Sequence, residues 1–441
     1  PRAKDLQTLI NAMQTASVLL GNELVYAMAF DPEDQRRMLP VALAEVRAGK
    51  QADVKALLDR TLAGGVAYRF AGDNIVLSSD AASLAKVTAL LGKGLGTPFA
   101  AELQARYARG AGWLAALDFQ PMLSHGPLPV EAQAFGLERV RHLMLEQRPG
   151  FDNEALLAFN GARTGVPSWL AAAGPAGSAE YASNEAVLVA SAVTKNPRQA
   201  FDELMNQIDK VSPGVLKSLR EFEQTTGVSI SGDLAGALGT DLTLSLETPT
   251  LPMPGWFLAA ECYRPESLEA AIAKMVSIAN EKLPAEHKLT LTKETTGGRT
   301  WTTLKPASML TMGLYWTYDR GYWIVSMDRA TALRAINTRG GGFPLVRSAK
   351  FLAELPRGAG VHQSAFVWMN MNNALVQMLA QSANPAIKGL TEDRGPVLLT
   401  FNAQTERIQA SSRTRLSSLL IDFAMAGMKG HATNTTTRRR D

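Results

Sequence analysis

The chain has 441 residues, 46% hydrophobic and 20% charged, too long for one hydrophobic core, so two or three domains are expected. Its formal net charge of +4 comes from 45 basic and 41 acidic residues that are interspersed, which argues against a nucleic-acid partner. The single cysteine, Cys262, excludes a disulfide framework and a thiolate metal cluster, and no stretch approaches the roughly 18 apolar residues of a membrane span.

The first predicted elements are a strand followed by a helix at residues 41–62 and a hairpin at 66–77. In the hairpin, apolar residues alternate on each side of a Gly-Asp turn, the pattern of two antiparallel strands. Asp80 then precedes an Ala-rich stretch. Because an aspartate can accept hydrogen bonds from the free amides of a first helical turn, Asp80 is predicted to cap a helix.

The middle of the chain has a different order of elements. Two strands are predicted within 137–161, joined by the Arg-Pro-Gly turn at 148–150. A strand and then a helix are predicted within 185–208, with Asn196 as the helix cap and Pro197 at the first helical position. A second helix follows, and two further strands are predicted at 241–247 and 255–263.

A stretch near residue 330 repeats an earlier one. YWIVSMDRATAL aligns without a gap on NIVLSSDAASL, so that Ser326 falls on Ser78 and Asp328 on Asp80 (326 − 78 = 328 − 80 = 248). Both copies place Ser-x-Asp between a strand and an Ala-rich helical stretch. We therefore predict a strand-to-helix junction whose aspartate is a helix cap.

The repetition extends on both sides of this junction. FLAEL at 351–355 follows FAAEL at 99–103 by 252 positions, and Asn370 follows Asp118 by the same interval. Upstream, the strand and helix at 256–276 resemble those at 41–62. Duplication of one supersecondary unit is the simplest explanation.

Together these patterns predict an α+β fold. It consists of a duplicated strand–helix–hairpin–helix–strand–helix module with mostly antiparallel sheets and helices on one face. A last hairpin is predicted at 396–414. The predicted segments are a first module at 1–135, a middle segment at 136–254, a second module at 255–413, and a short amphipathic helix with a polar basic tail at 414–441.

Residues with the spacing of a catalytic or metal site are scarce. The five histidines stand singly, without His-x-x-x-His or a Cys/His pair; they are His125, His142, His287, His362 and His431. GVSISG lacks the Gly-x-Ser-x-Gly of a nucleophile elbow, and GKGLGTPF follows a predicted helix instead of a strand. We therefore predict no catalytic residue, no metal and no cofactor.

Two groups of residues are candidates for binding. Trp316, Tyr318, Tyr322 and Trp323 lie on the second repeated hairpin and are able to line a hydrophobic or carbohydrate surface, although cross-strand packing also explains them. Arginines occupy the three positions Arg438, Arg439 and Arg440. They are able to pair with anionic lipid or an acidic protein, or to form a solvated end.

Three segments carry a resemblance to a known family. They are FNGARTGVPSWLAA at 159–172, GPAGS at 174–178 and GALGTDLTLSLETPTLPMPGW at 236–256. With the repeated junction, they resemble an uncharacterised family of exported bacterial envelope proteins, known only as a domain of unknown function. The resemblance implies an export signal or membrane anchor ahead of Pro1, a periplasmic or extracellular location and no established activity. It supplies no catalytic residues.

The first functional hypothesis is a non-catalytic periplasmic binding or scaffold protein, an accessory subunit of a larger membrane-associated assembly. Its expected partners are other envelope proteins, with peripheral contact to a membrane complex or anionic lipid. The second hypothesis is a carrier of lipid or another hydrophobic ligand. The third is an enzyme whose site forms only in three dimensions, with contributions from Asp73, Asp80, Arg163, Asp328 and Glu354.

Overall fold

The computed structural model describes most of the chain, in the ranges 18–31, 34, 37–61, 66–94, 96–124, 126, 128–134, 136–150, 152–250, 253–308, 313–370 and 395–413. The chain forms two compact units, Pro1–Ala100 and Ala101–Asp441. The predicted helix after Asn370, the amphipathic helix and basic tail at 414–441, and His125 and His431 lie outside the described residues.

The first unit is built on a four-stranded antiparallel sheet with the order β1-β2-β4-β3. Its strands are β1 Leu20–Phe30, β2 Met38–Val46, β3 Ala67–Ala71 and β4 Asn74–Ser78, and its helices are α1 Gln51–Thr61 and α2 Ala81–Leu90. The predicted hairpin is confirmed. Its turn requires glycine at Gly72, which has a φ of +62°.

The second unit contains a thirteen-stranded sheet in which all pairs are antiparallel. Its order is β11-β12-β13-β14-β10-β9-β8-β15-β16-β17-β7-β6-β5. The strands are β5 Trp113–Asp118, β6 Val140–Gln147, β7 Asn153–Phe159, β8 Leu188–Val193, β9 Leu238–Thr250, β10 Met253–Cys262, β11 Leu289–Thr296, β12 Arg299–Pro306, β13 Leu314–Asp319, β14 Tyr322–Ser326, β15 Ala365–Met369, β16 Val397–Gln404 and β17 Arg407–Ser412.

Eight further helices complete the described elements. They are α3 Pro98–Ala108, α4 Gln120–Leu123, α5 Val130–Ala134, α6 Pro197–Val211, α7 Val215–Thr226, α8 Pro265–Lys282, α9 Arg329–Gly341 and α10 Ala349–Glu354. The unit boundary falls within α3. The prediction that Asn196 caps α6 is confirmed, since its side chain accepts a hydrogen bond from the Arg198 amide at 3.0 Å.

The mixed α+β class and the antiparallel sheets are therefore confirmed, but the prediction that helices cover one face is wrong. In the second unit Ile324 packs with Ile336 of α9, whereas Trp323 packs with Leu268 of α8. Because successive residues of a strand point to opposite faces, α8 and α9 lie on opposite sides of β14.

The first unit has the same two-sided arrangement. Val76 of β4 packs with Leu84 of α2, and its neighbour Ile75 packs with Val54 of α1. The reason is that the strands are apolar on both faces, so each face is buried by its own helix.

The main core lies in the second unit, where β10, β14, β15 and β16 meet α9, α10 and residues 176–187. Its fully buried side chains include Tyr181, Phe257, Ile324, Trp368 and Leu398. Burial of a large apolar side chain contributes roughly 1.5–3 kcal/mol. Truncation of a side chain in this core is therefore expected to cause the largest decrease in the free energy of unfolding.

The two repeated junctions have the predicted capping geometry. The Asp80 carboxylate accepts a hydrogen bond from the Ser83 amide at 2.8 Å, and the Asp328 carboxylate accepts one from the Thr331 amide at 2.7 Å. The Ser83 and Thr331 hydroxyls donate to the same carboxylates, each at 2.8 Å. Both caps are confirmed.

The serine two positions before each cap also has the same role at both junctions. Ser78 Oγ donates to the Pro40 carbonyl of β2, and Ser326 Oγ donates to the Trp256 carbonyl of β10, both at 2.7 Å. Each serine thus links the last residue of its strand to the neighbouring strand. The Ser-x-Asp sequence is explained by these backbone contacts.

Candidate functional site

The four predicted aromatics lie on two different faces of the second hairpin. Trp316, Tyr318 and Trp323 share one face, because Tyr318 pairs with Trp323 across the strands and Trp316 lies two residues from Tyr318. Tyr322 points to the other face, and both Tyr322 and Trp316 are buried. The four side chains therefore do not form one exposed platform.

Two of the three aromatics on the first face, Trp316 and Tyr318, donate hydrogen bonds to Glu269 of α8. The Glu269 carboxylate accepts hydrogen bonds from Trp316 Nε1, from the Tyr318 hydroxyl at 3.1 Å and from the Thr302 hydroxyl at 3.2 Å. Lys293 Nζ lies 2.9 Å from the same carboxylate. Burial, followed by the nearby Glu269 charge, raises the pKa of Tyr318. These contacts bind α8 to the sheet.

On the opposite face Tyr322 joins a second network. Its hydroxyl donates to Asp241 at 2.7 Å, and the Arg339 guanidinium lies over the rings of Tyr322 and Tyr181, 4.7 and 4.8 Å from their centroids. Arg339 donates to the Tyr181 hydroxyl at 2.7 Å. Burial raises the pKa of both tyrosines. Packing and internal hydrogen bonds account for these aromatic residues. A ligand-binding role for them stays a prediction.

A row of polar residues on β9 lies inside the protein, which the sequence did not indicate. Asp241, Thr243, Ser245 and Glu247 alternate along the strand and are all buried, whereas Leu244 between them is 42% exposed. The pattern alone suggests the reverse orientation, with the leucines inward. The polar row is the strongest concentration of buried chemistry in the described chain that sequence reasoning missed.

The buried row is satisfied by a segment that crosses it. The Ser178 amide donates to Asp241 at 2.8 Å, and the Ser183 hydroxyl donates to Glu247 at 2.6 Å. Gly177 approaches so closely that an added Cβ would lie 2.5 Å from the Tyr322 hydroxyl oxygen. Because burial of an unpaired carboxylate is costly, these bonds make the crossing segment part of the core.

A third cluster holds two carboxylates side by side. Glu146 of β6 and Glu154 of β7 are cross-strand partners, and both are buried. Arg106 of α3 lies 3.1 Å from Glu146 and 2.8 Å from Glu154, and Arg109 lies 2.8 Å from Glu146. The arginines neutralise the repulsion between the carboxylates. The geometry is that of an ion-pair network joining α3 to the sheet.

The residues proposed for a three-dimensional enzyme site have other contacts. Asp80 and Asp328 are helix caps, as described above. Arg163 donates to the carbonyls of Gln404 at 2.7 Å and Leu170 at 2.9 Å, so it holds backbone segments together. Burial raises the pKa of Glu354 at the end of α10. Three of the five candidates, Asp80, Asp328 and Arg163, therefore have structural roles.

No group of three or more His, Cys, Asp and Glu side chains is placed to hold a metal ion in the part of the chain that the structure describes. A cleft of about 480 Å³ lies beside α7. Its lining includes Asp209, Lys217, Arg220 and Glu221, which is a charged lining and not the apolar one that a lipid site uses.

Strand β1 carries a row of exposed apolar side chains. Leu24, Tyr26 and Met28 alternate along the strand and are 64%, 68% and 51% exposed. Alternation places the three side chains on one face. Rows of large exposed apolar side chains are typical of interaction surfaces. We name these three residues the β1 row.

In the described residues, no helix combines the length and apolarity that crossing a bilayer requires. Comparison of the chain with protein-family models, curated proteins and solved structures finds no match. The resemblance to exported envelope proteins therefore stays a prediction.

Proposed function

We propose that this protein is a non-catalytic binding or scaffold protein of the bacterial envelope, periplasmic, and an accessory subunit of a larger membrane-associated assembly. The β1 row is the observation that carries the proposal. Leu24, Tyr26 and Met28 expose more apolar surface than an edge strand in water normally carries. A protein partner that covers the row would remove that surface from water.

We also propose that the fold is a duplicated module, and the strand order supports this. The order β1-β2-β4-β3 of the first unit matches the order β9-β10-β14-β13 within the second. The helices between these strands fall at the same places, α1 matching α8 and α2 matching α9. In both, a hairpin leads through Ser-x-Asp into the second helix.

The remaining strands support the same duplication, with β5-β6-β7 matching β15-β16-β17. These six strands are consecutive in the sheet, and β7 pairs with β17 at the centre. Glu154 of β7 pairs with Ser411 of β17 (411 − 154 = 257). If each residue of β17 is the counterpart of the β7 residue 257 positions earlier, Ser411 is the counterpart of Glu154, and the two counterparts pair with each other. That is the register expected of two copies related by a two-fold axis through this pair.

The duplication relates the β1 row to a second exposed residue. Registers counted outward from Ser78 and Ser326 place Tyr26 of β1 at the position of Leu244 of β9. Leu244 is exposed although β9 has a partner strand on both sides. An apolar side chain directed to solvent thus recurs at matching sites, which supports a binding role for this face.

The contacts of four carboxylates support a non-catalytic role. Asp241 is buried and Glu269 is partly buried, and both accept hydrogen bonds from donors within the protein. Asp80 and Asp328 are occupied as caps. Each group already stabilises the fold where it lies, whereas the β1 row is exposed and apolar.

The test is capture of partners by cross-linking in the source bacterium, followed by purification of the chain under denaturing conditions. We expect Tyr26→Ser to remove the specific cross-linked partner. Tyr263→Ser is the matched control, since Tyr263 is 64% exposed but lies outside the row. Recovery of the same partner at the same yield from Tyr26→Ser, or of an uncross-linked monomer from the unaltered chain, would contradict the proposal.

A further inference from the structure

Strand β5 forms one edge of the thirteen-stranded sheet, and its last residue, Asp118, is its only charged residue. Among the described strands it pairs only with β6, and residues 113–117 contain neither a charged residue nor proline. The opposite edge, β11, carries Lys293 and Glu294. Edge strands are normally blunted by charges, proline or bulges because bare edges accept further strands.

The matching strand in the other copy is not an edge. β15 pairs with β16 on one side and with β8 on the other. The Gly112 amide donates to the Gln147 carbonyl and the Ser364 amide donates to the Phe401 carbonyl, both at 2.8 Å, and 364 − 112 is 252. Thus β5 meets β6 as β15 meets β16, and no described strand pairs with β5 in the way that β8 pairs with β15.

The hydrogen-bonding groups of β5 that face outward follow from the same match. The Asn370 amide donates to the Val187 carbonyl beside β8 at 2.8 Å, and Asp118 is the residue 252 positions before Asn370. On the other side, the Phe119 amide donates to the Arg141 carbonyl beside β6 at 2.9 Å. Along a strand, the N–H and C=O groups of successive residues point alternately to one side and to the other. The backbone groups of Leu114, Ala116 and Asp118 therefore point away from β6.

The sequence ahead of β1 also matches the sequence that follows β8 in the other copy. Leu6, Leu9, Gln14 and Thr15 stand 210 positions before Leu216, Leu219, Gln224 and Thr225 of α7 (216 − 6 = 225 − 15 = 210). In the second copy the order is β8, α6, α7 and β9. These four identities at one interval indicate that the sequence at 6–15 repeats part of the sequence of α7, which supports the proposed duplication.

We propose that the outward edge of β5 binds one kind of occupant, an uncharged peptide strand of the β8 type, rich in β-branched and small residues and antiparallel to β5. The proposal rests on the duplication proposed above. The register follows from the pairs of β15 with β8: Asp118 lies opposite the counterpart of Val187, and Trp113 opposite the counterpart of Ala192.

The chemistry of the occupant follows from β8 itself. Its sequence LVASAV is uncharged, and Val189 and Ser191 are buried between sheet and covering segment. Trp113 and Leu117 of β5 are exposed. A β-branched and small-residue strand in the β8 register would cover these side chains while pairing the outward backbone groups.

The probe is a synthetic peptide with the sequence EAVLVASAVTK, residues 185–195, added to the 441-residue chain. Ala115 corresponds to Val367, which pairs with Ala190 of β8. On the outward side of β5, Ala115 is therefore expected to form a pair of the non-hydrogen-bonded type, in which the two side chains lie closer together. We expect an Ala115→Cys variant, made with Cys262→Ser, to form a disulfide with a peptide carrying cysteine at position 190. A peptide with cysteine at position 192 is the out-of-register control.

The blocking variant is Ala116→Pro, which removes one outward N–H but none that faces β6. We expect it to lower the in-register disulfide yield about tenfold, the factor that corresponds to about 1.4 kcal/mol. Ala116→Val keeps the N–H and should keep the yield. Leu114→Pro repeats the block at a second outward N–H, and tryptophan fluorescence in urea identifies which variants are folded.

Three outcomes would overturn the inference. They are equal disulfide yields from both peptides, a yield that folded proline variants leave unchanged, and a chain that sediments as a dimer dissociated by Ala116→Pro. The last outcome would assign the edge to a second copy of the chain. None of the three affects partner capture through Tyr26, so failure here is distinguishable from failure of the proposed function.

Discussion

The two repeated hairpins follow the same backbone path but have different surroundings. In the β3–β4 hairpin Tyr68 and Leu77 are only partly buried, whereas the matching residues of the β13–β14 hairpin, Trp316 and Val325, are buried. The strand registers and the helix caps are the same in both. The difference therefore comes from what lies around the hairpin and not from the hairpin itself.

Two additions bury the second hairpin. β12 pairs with β13, while β3 is the last strand of its sheet. The segment that includes Ser178 and Tyr181 covers one face, and Glu269 of α8 binds the other. Local sequence sets the path of the chain in both hairpins, but the free energy of unfolding of the second depends on β12 and on the segment that includes Ser178, which have no counterpart among the described elements around the first.

The largest expected effect is from Trp316→Ala, which removes a buried indole. Truncation of a buried aromatic typically lowers the free energy of unfolding by about 3–5 kcal/mol. Urea unfolding followed by tryptophan fluorescence measures it, because all seven tryptophans lie in the second unit. Tyr68→Ala, at the matching position of the first hairpin, should cost less. Because the first unit contains no tryptophan, the loss of stability in the Tyr68 variant is measured by hydrogen exchange. Equal losses of the free energy of unfolding in the two variants would contradict the proposed difference in burial.

The next effect is expected from Glu269→Ala, which leaves Trp316 Nε1 and the Tyr318 hydroxyl without their acceptor. Because a buried polar group without a partner costs about 1–3 kcal/mol, we expect a loss of about 2–3 kcal/mol in the same urea measurement. Glu269→Gln keeps an acceptor oxygen and should lose less. A glutamine variant as unstable as the alanine variant would show that the charge beside Lys293, and not hydrogen bonding, is responsible.

The second hairpin should also lose stability at high pH. Burial raises the pKa of Tyr181, Tyr318 and Tyr322 above the ordinary value of 10.0. A group with a raised pKa in the fold stabilises it below the unfolded pKa, and that stabilisation is lost as pH rises beyond about 10. We expect the urea midpoint to fall there, and less steeply for Tyr322→Phe. Tyrosinate absorbance that appears for all tyrosines before unfolding would contradict this.

Local signals made part of this fold predictable. The two helix caps, the hairpins and the antiparallel class depend on residues within a few positions of each other, and Asp80 and Asp328 act as their sequence indicates. Strands β11 and β12 are not among the predicted elements, although the alternating threonines and the Gly297–Gly298 turn between them are a hairpin signal.

The polar interior was not predictable in the same way. The alternation of β9 fits either orientation of the strand, and only the crossing segment with Ser178 and Ser183 makes burial of Asp241 and Glu247 favourable. Those residues lie about sixty positions apart in the chain. A single sequence contains no local signal for such a pairing, and the same holds for Glu269 and its partners on β13.

A smaller effect is expected from the caps, which both copies share. Asp328→Ala removes the acceptor for the Thr331 amide, and loss of an N-cap typically costs about 1 kcal/mol. Asp328→Asn keeps an acceptor and should retain most of the stability. The measurement is again urea unfolding by tryptophan fluorescence. A loss as large as that of Trp316→Ala would mean that Asp328 does more than cap α9.

The smallest effect concerns Asp80, whose cap is open to solvent. The hydrogen bonds from the Ser83 amide and hydroxyl lower the pKa of Asp80 from 3.8 to about 2. A carboxylate with a lowered pKa stabilises the fold above its unfolded pKa, and that stabilisation is lost as pH falls through the folded value. The difference in stability between the unaltered chain and Asp80→Ala, followed by hydrogen exchange of α2, should therefore be constant above about pH 5 and be largely lost on acidification to about pH 2. A difference that persists unchanged at pH 2 would show that the carboxylate charge does not hold this junction, and the two junctions would then share a sequence without sharing its physical cause.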